Sequence, residues 1–127
     1  MNERILIVED NEINMKLIKA ILGKRGYLLV EAKDGEEALQ AVVREKPDLV
    51  LMDIQIPKVD GLEVTRRIRG MEEISQTVII ALTAHAMEGD KEKILDAGCD
   101  GYIAKPIDTR TFPLEVEAIL ARKSHAA

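Results

Sequence analysis

The sequence predicts a doubly wound α/β domain, a five-stranded parallel sheet of order 2-1-3-4-5 with helices on both faces. Short apolar runs alternate with amphipathic stretches from end to end, the pattern of strands buried on both sides and joined by crossover helices. Four of these runs also end in polar groups: Glu9-Asp10 after the first, Asp53 closing the third, Thr83 after the fourth and Lys105-Pro106 after the fifth. In sheets of this class ligands bind beyond the carboxyl ends of the strands, where the winding direction reverses. With right-handed crossovers that order sets the ends of strands one and three side by side, so that Glu9, Asp10 and Asp53 meet in one crevice.

The elements follow in sequence. Ile5-Leu6-Ile7-Val8 is the first strand. Ile13, Leu17, Ile18, Ile21 and Leu22 recur at helical spacing, and Gly26 after Lys24-Arg25 supplies a left-handed end signal, which predicts a helix from about Glu12 to Arg25. Tyr27 to Ala32 is the second strand. Asp34 is a good N-cap, Glu37 completes an acidic capping box, and Ala38, Leu39, Val42 and Val43 form the apolar stripe of the second helix. Pro47 separates that helix from the strand Leu49 to Asp53, which is followed by Ile54-Gln55-Ile56-Pro57 and the turn pair Asp60-Gly61. The third helix is expected from about Leu62 to Arg69, the fourth strand at Val78-Leu82, and the fourth helix from about Met87 to Ala97, with Met87, Ile94 and Leu95 as core positions. Gly101-Tyr102-Ile103-Ala104 is the fifth strand, and the fifth helix runs from about Asp108 to Arg122, leaving 123–127 as a frayed tail.

A chain of 127 residues fits one domain, here 1–122, with room for a sizeable core. Lys and Arg total 18 against 23 Asp and Glu, a net charge of −5, which disfavours nucleic acid or an anionic membrane and favours proteins or small ions as partners. The single cysteine, Cys99, excludes an intramolecular disulfide, fits a reducing compartment and reads as a small buried apolar residue. No run is long enough for membrane insertion and the first residues form no signal peptide, so a cytoplasmic location is expected.

A carboxylate costs several kcal/mol to bury, so Asp53 at the end of a buried strand is either a cap or a working group. Three acids brought together repel one another and raise one another's pKa values unless a cation joins them. With no His or Cys in the cluster the ligands are all oxygen, which points to Mg²⁺ or Mn²⁺, and Mg²⁺ keeps waters that phosphate oxygens can replace. In a phosphoryl transfer Asp53 can attack, Glu9 and Asp10 hold the metal, and Thr83 and Lys105 bind the remaining oxygens. The bland alternative is that Glu9 to Glu12 only cap a helix N-terminus, where acids are worth about 0.3–1 kcal/mol each.

Val8-Glu9-Asp10-Asn11, Leu51-Met52-Asp53 with Pro57 and Asp60-Gly61, Leu82-Thr83-Ala84, and Tyr102-Ile103-Ala104-Lys105-Pro106 together resemble the receiver domain of two-component response regulators, with the flavodoxin/CheY-like (βα)5 fold. Each motif is weak alone, but all four occur in order and at receiver spacing. Asn11 to Leu17 and Ala86 to Asp90 further resemble single-domain members of that family and the receivers of hybrid histidine kinases. An initiator-like Met1 favours the former.

The resemblance implies that Asp53 is the phospho-acceptor, charged by a histidine kinase or histidine phosphotransfer protein. It implies Mg²⁺ on Asp10 and Asp53 directly, on Glu9 through water and on the Gln55 backbone carbonyl. Thr83 and Lys105 would take phosphoryl oxygens, Thr83 and Tyr102 would form the switch, Gln55 and His85 would tune the phosphate lifetime, and Lys105-Pro106 is a cis-peptide candidate. An effector would read the face of helix four, strand five and helix five, and helix one would dock the histidine donor. Such a protein is not an enzyme in the usual sense, catalysing only its own phosphorylation and dephosphorylation. Bland readings stand beside these: an ordinary strand tyrosine for Tyr102, an idle surface histidine for His85 and an inert tail residue for His125.

Three rivals remain. A flavodoxin-type FMN protein would want a Ser/Thr/Gly-rich phosphate loop after strand one and aromatics to sandwich the flavin, whereas the loop here is Glu9-Asp10-Asn11-Glu12 and the aromatics are Tyr27, Tyr102 and Phe112. A phosphatase with an aspartyl nucleophile would want a second acid where Gln55 stands, and a cap for which there is no length. A degenerate receiver that binds partners without phosphorylation sits poorly with the complete acidic set.

Overall fold

The computed structural model describes residues 3–56, 60–84 and 88–125. Five strands, β1 (Arg4–Val8), β2 (Leu28–Ala32), β3 (Leu49–Asp53), β4 (Val78–Thr83) and β5 (Gly101–Ala104), alternate with α1 (Glu12–Gly23), α2 (Gly35–Glu45), α3 (Gly61–Arg69), α4 (Glu88–Ala97) and α5 (Phe112–His125). All pairings are parallel and the order is β2-β1-β3-β4-β5.

The alternation of the pleat divides the core. Leu6, Val8, Val50, Met52, Ile79 and Ala81 point to one face, under α2, α3 and α4. Ile5, Ile7, Leu49, Leu51, Ile80 and Leu82 point to the other, under α1 and α5, where Phe112 is fully buried. Both faces are covered, which is why Ile5–Val8, Leu49–Met52 and Val78–Leu82 are continuous apolar runs rather than alternating.

Several expectations are corrected. Met15, Ile18 and Leu22 form the buried edge of α1 and Ile13 is 77% exposed, because two residues of helix place it about 200° round from Met15. In α2 the buried face is Gly35, Ala38, Ala41 and Val42; Val43 is 49% exposed, about 140° round from Ala38. Ile94 is core, but its neighbour Leu95 is 51% exposed, and Met87 lies outside the described residues. The regular helix of α1 ends at Gly23, and Gly26, at φ +84°, turns the chain into β2, which begins at Leu28 rather than Tyr27. The regular helix of α5 begins at Phe112, after a turn in which the Asp108 carboxylate accepts the N–H groups of Arg110 and Thr111 and the Asp108 carbonyl accepts the Phe112 N–H; the helix continues to His125. Asp60 is the N-cap of α3, accepting the N–H groups of Leu62 and Glu63, and Gly61 is already helical. At α2, Asp34 accepts the Glu37 N–H as expected, while the Glu37 carboxylate accepts from Lys33 N–H rather than from the cap residue.

Arg69 ties three segments at the opposite end of the sheet from the acids. Its guanidinium donates to the carbonyls of Gly98, Ser75 and Thr77 and to the Asp100 carboxylate at 2.9 Å, and the same Asp100 oxygen accepts the Ile79 N–H at the start of β4. Gly98, at φ +112°, brings the chain so close that a Cβ there would lie 2.7 Å from Arg69 Cγ. Burial pushes the Cys99 thiol up to about 11, so this cysteine is an unreactive apolar filler.

Asp100→Ala leaves both the Ile79 N–H and the guanidinium short of an acceptor, and a loss of about 2–4 kcal/mol is expected in urea unfolding. Gly61→Ala places a methyl 2.7 Å from the Asp53 carbonyl oxygen and from Ile54 Cα, both backbone atoms that cannot swing aside, and is expected to cost about 1–3 kcal/mol in the same measurement.

Candidate functional site

The register of β1 against β3 builds the site. Val8 pairs with Met52, so Glu9 and Asp53 leave adjacent strands at the same level. The Glu9 N–H still bonds to Ala32 on β2, which carries the strand direction one residue further and leaves Glu9 only 1% exposed; Asp53 is 3% exposed and Asp10 lies open at the rim. One carboxylate oxygen from each of the three lies within 4.8 Å of the others. Capping does not account for this cluster. The N-cap of α1 is Asn11, whose side chain accepts the Asn14 N–H at 3.0 Å, while its own N–H turns back to Glu9 Oε2 at 3.2 Å.

Lys105 reaches the acids from β5. Its backbone N–H bonds to the Thr83 carbonyl at 2.8 Å, extending the β4–β5 ladder, and its Nζ donates to Asp53 Oδ2 at 2.8 Å while standing 3.2 Å from Glu9 Oε1. The Lys105–Pro106 peptide bond is cis. Asp53 Oδ1 accepts the Gln55 N–H at 3.0 Å. Thr83 ends β4 with its side chain buried. Beneath Asp53 lies Gly61, whose N–H bonds to the Ile54 carbonyl.

Burial foremost, and then the nearby Asp53 carboxylate, pushes the Glu9 carboxyl up to about 7; the Asn11 N–H and Lys105 oppose this without cancelling it. Desolvation weighs against the Lys105 ammonium, but the Asp53 and Glu9 carboxylates outweigh it and raise its pKa above the ordinary value. Glu9 Oε1 is buried and makes no hydrogen bond; among the described groups, the positive charge beside it is the Lys105 ammonium, at 3.2 Å. One ammonium shared among three carboxylates leaves negative charge that a further cation or a proton would balance. An oxygen-only trio with that unbalanced charge fits a hard divalent ion such as Mg²⁺.

The sequence-predicted residues Glu9, Asp10, Asp53, Gln55, Thr83 and Lys105 thus lie at one end of the sheet. Tyr102 sits on β5 opposite Ala81, half-buried, with the Lys91 ammonium 5.4 Å from its ring centre. His85 and Pro57 lie outside the described residues, as does the side chain of His125. Sequence reasoning missed two contributors. Asn11 links the cap of α1 to Glu9, and its position between acids and an amphipathic run was a readable signal. Gly61 permits the close approach of α3 to Asp53, and only the packing reveals it.

Residues 5–117 match the response regulator receiver domain family. The chain is 44% identical over 120 residues to the polar-differentiation response regulator DivK of Brucella ovis, covering 94% of this chain and 98% of that one. Among solved structures it resembles the receiver domain of a sensor histidine kinase from Pseudomonas aeruginosa, which has a magnesium ion coordinated in its active-site cleft, with TM-score 0.83, 40% identity and coverage of 96% and 97% of the two chains. A two-component response regulator from Clostridium difficile superposes with TM-score 0.86 at 27% identity, covering 94% and 97%. The chemotaxis response regulator of Vibrio cholerae, at 24% identity and TM-score 0.89 over 94% and 99% of the two chains, shares the fold. With its buried acids, its lysine and its CheY-like winding, the chain belongs to the response regulator receiver domain family of two-component signalling proteins.

Proposed function

We propose that the chain is a single-domain response regulator that accepts a phosphoryl group on Asp53 from a phosphohistidine of a partner kinase or phosphotransfer protein, in a Mg²⁺-dependent reaction, and thereby changes its affinity for partner proteins. The observation that carries this reading is the buried Glu9–Asp53 pair held by one lysine, Lys105, with Asp10 close enough to share a metal ion with both acids. Glu9, Asp10 and Asp53 would hold the metal, with the Gln55 carbonyl. Bound Mg²⁺ would supply positive charge beside the oxygens of the transferring phosphoryl group.

An Asp53 oxygen attacks phosphorus; the O–P bond forms as the P–N bond breaks, the electron pair returns to the imidazole nitrogen, and an aspartyl phosphate remains. Lys105, already on Asp53 Oδ2, moves its ammonium onto a phosphoryl oxygen, and the Thr83 hydroxyl donates to another. Tyr102 responds to the displacement of Thr83. Moving a balance from 1:99 to 99:1 takes about 5.5 kcal/mol, which sets what these contacts must supply. Gln55, exposed and next to the acceptor, and His85 would govern the attack of water on the phosphate.

The donor surface is supported by an apolar row on α1, Ile13 and Leu17, and by a cavity of about 340 Å³ beside Lys105 that Leu17, Pro106 and Ile107 help to line. The faces of α4, β5 and α5 would meet the effector. We assign the receiver to residues 1–125, through the end of α5, and the protein to the cytoplasm, the reducing compartment that suits its single cysteine.

Asp53→Asn is expected to abolish labelling by acetyl phosphate with Mg²⁺, and chelation of the metal to abolish it in the wild type; undiminished labelling of the variant would show that Asp53 is not the acceptor. The Glu9 carboxyl, at about 7 when folded against 4.5 for its ordinary value, holds in the folded state a proton that the unfolded chain releases first. Its contribution to stability is complete below pH 4.5 and is lost as pH rises through about 7. Without divalent cations, Glu9→Gln should therefore gain in urea midpoint relative to wild type over that interval, and Mg²⁺ should stabilise the wild type more at about pH 8 than at about pH 6.

A further inference from the structure

Lys91 lies in the first half of α4, half-buried, with its ammonium 5.4 Å from the centre of the Tyr102 ring on β5. A cation within about 6 Å of a ring centroid and over its face is attracted by the ring quadrupole, the more so where both are partly out of water. Tyr102 packs against the core cluster that contains Ala81 and Ile94, and Ala81 is also its register partner on β4, the strand that ends at Thr83. Along β5 the chain runs directly from Tyr102 to Lys105, which holds Asp53. The ring therefore stands between the groups at the strand ends and α4, and Lys91 grips it from the α4 side.

We propose that Lys91 is a positioning residue for Tyr102: its ammonium holds the ring in the position seen here and sets how readily the ring leaves it. The functional consequence rests on the reading of Tyr102 as the aromatic that responds to phosphorylation; the contact itself does not. Replacing Lys91 by methionine keeps an unbranched apolar stem against the ring and removes the charge, whereas arginine keeps a cation that stacks on aromatic faces. Loss of one partly buried contact of this kind shifts a balance between two ring positions by about two- to fivefold. Without the cation the ring leaves its resting place more often, so a smaller push from Thr83 suffices to move it.

The composition makes this measurable, because the chain has two tyrosines and no tryptophan. Biosynthetic 3-fluorotyrosine gives a fluorine NMR spectrum with one signal from Tyr27 and one from Tyr102, and Tyr102→Phe identifies the latter. In the full chain without phosphodonor, Lys91→Met is expected to move the Tyr102 signal, to change its isotope shift between H2O and D2O because the ring's exposure changes, and to leave the Tyr27 signal in place; Lys91→Arg is expected to restore both quantities. A Tyr102 isotope shift unaltered in Lys91→Met, or altered equally by Lys91→Arg, overturns the proposal. Acetyl phosphate with Mg²⁺ added to the wild type tests the underlying reading separately. If the Tyr102 signal ignores the phosphodonor, Tyr102 is not a switch residue, while the effect of Lys91 on the resting ring is still read from the first comparison.

Discussion

Two carboxylates taken out of water beside one another define this molecule. Glu9 and Asp53 sit at the ends of neighbouring strands, and one ammonium, from Lys105, stands against both. The lysine hydrogen-bonds Asp53 and pairs with Glu9 at 3.2 Å, so one ammonium is shared by two buried carboxylates and the group is left with net negative charge. Much of the surrounding chain keeps that arrangement in place. The β1–β3 register sets the two acids level, the Asn11 and Gln55 N–H groups fix one oxygen of each, and the β4–β5 ladder carries Lys105 across to them.

The two ends of the sheet are built for opposite purposes. At the amino ends of the strands, the Arg69–Asp100 pair satisfies the Gly98 and Thr77 carbonyls and the Ile79 N–H, so that the two charges match each other and tie α3, β4 and the α4–β5 turn together. At the carboxyl ends the acids outnumber the lysine, and charge is left over for an added ion or ligand. Between the two, β4 and β5 run side by side from the core to Thr83 and Lys105, with Tyr102 on β5 meeting Lys91 of α4.

Much of this was legible beforehand. The strand runs are apolar because both faces are covered, and that pattern survives any rearrangement of side-chain detail, so the sheet, its order and the grouping of Glu9, Asp10, Asp53, Thr83 and Lys105 could be read from spacing and chemistry. The errors share one cause. Ile13, Val43 and Leu95 fall near an apolar stripe in sequence, and periodicity alone does not say where the edge of the buried face lies; the neighbouring element does. Similarly, Asp108 caps the turn that leads into α5, but the regular helix starts only at Phe112, where the ring is buried in the core.

The amino-acid sequence alone determined the class of the fold and the candidate site residues, because hydrophobic alternation and residue chemistry are local properties of the chain. Tertiary structure decided what depends on distances between segments remote in sequence: that one ammonium, Lys105, is shared by Asp53 and Glu9, that Gly61 must lack a side chain because α3 presses on the backbone beside Asp53, and that Lys91 meets the Tyr102 ring. Such contacts arise only when packing brings those segments together. No pattern along the chain encodes an interatomic distance.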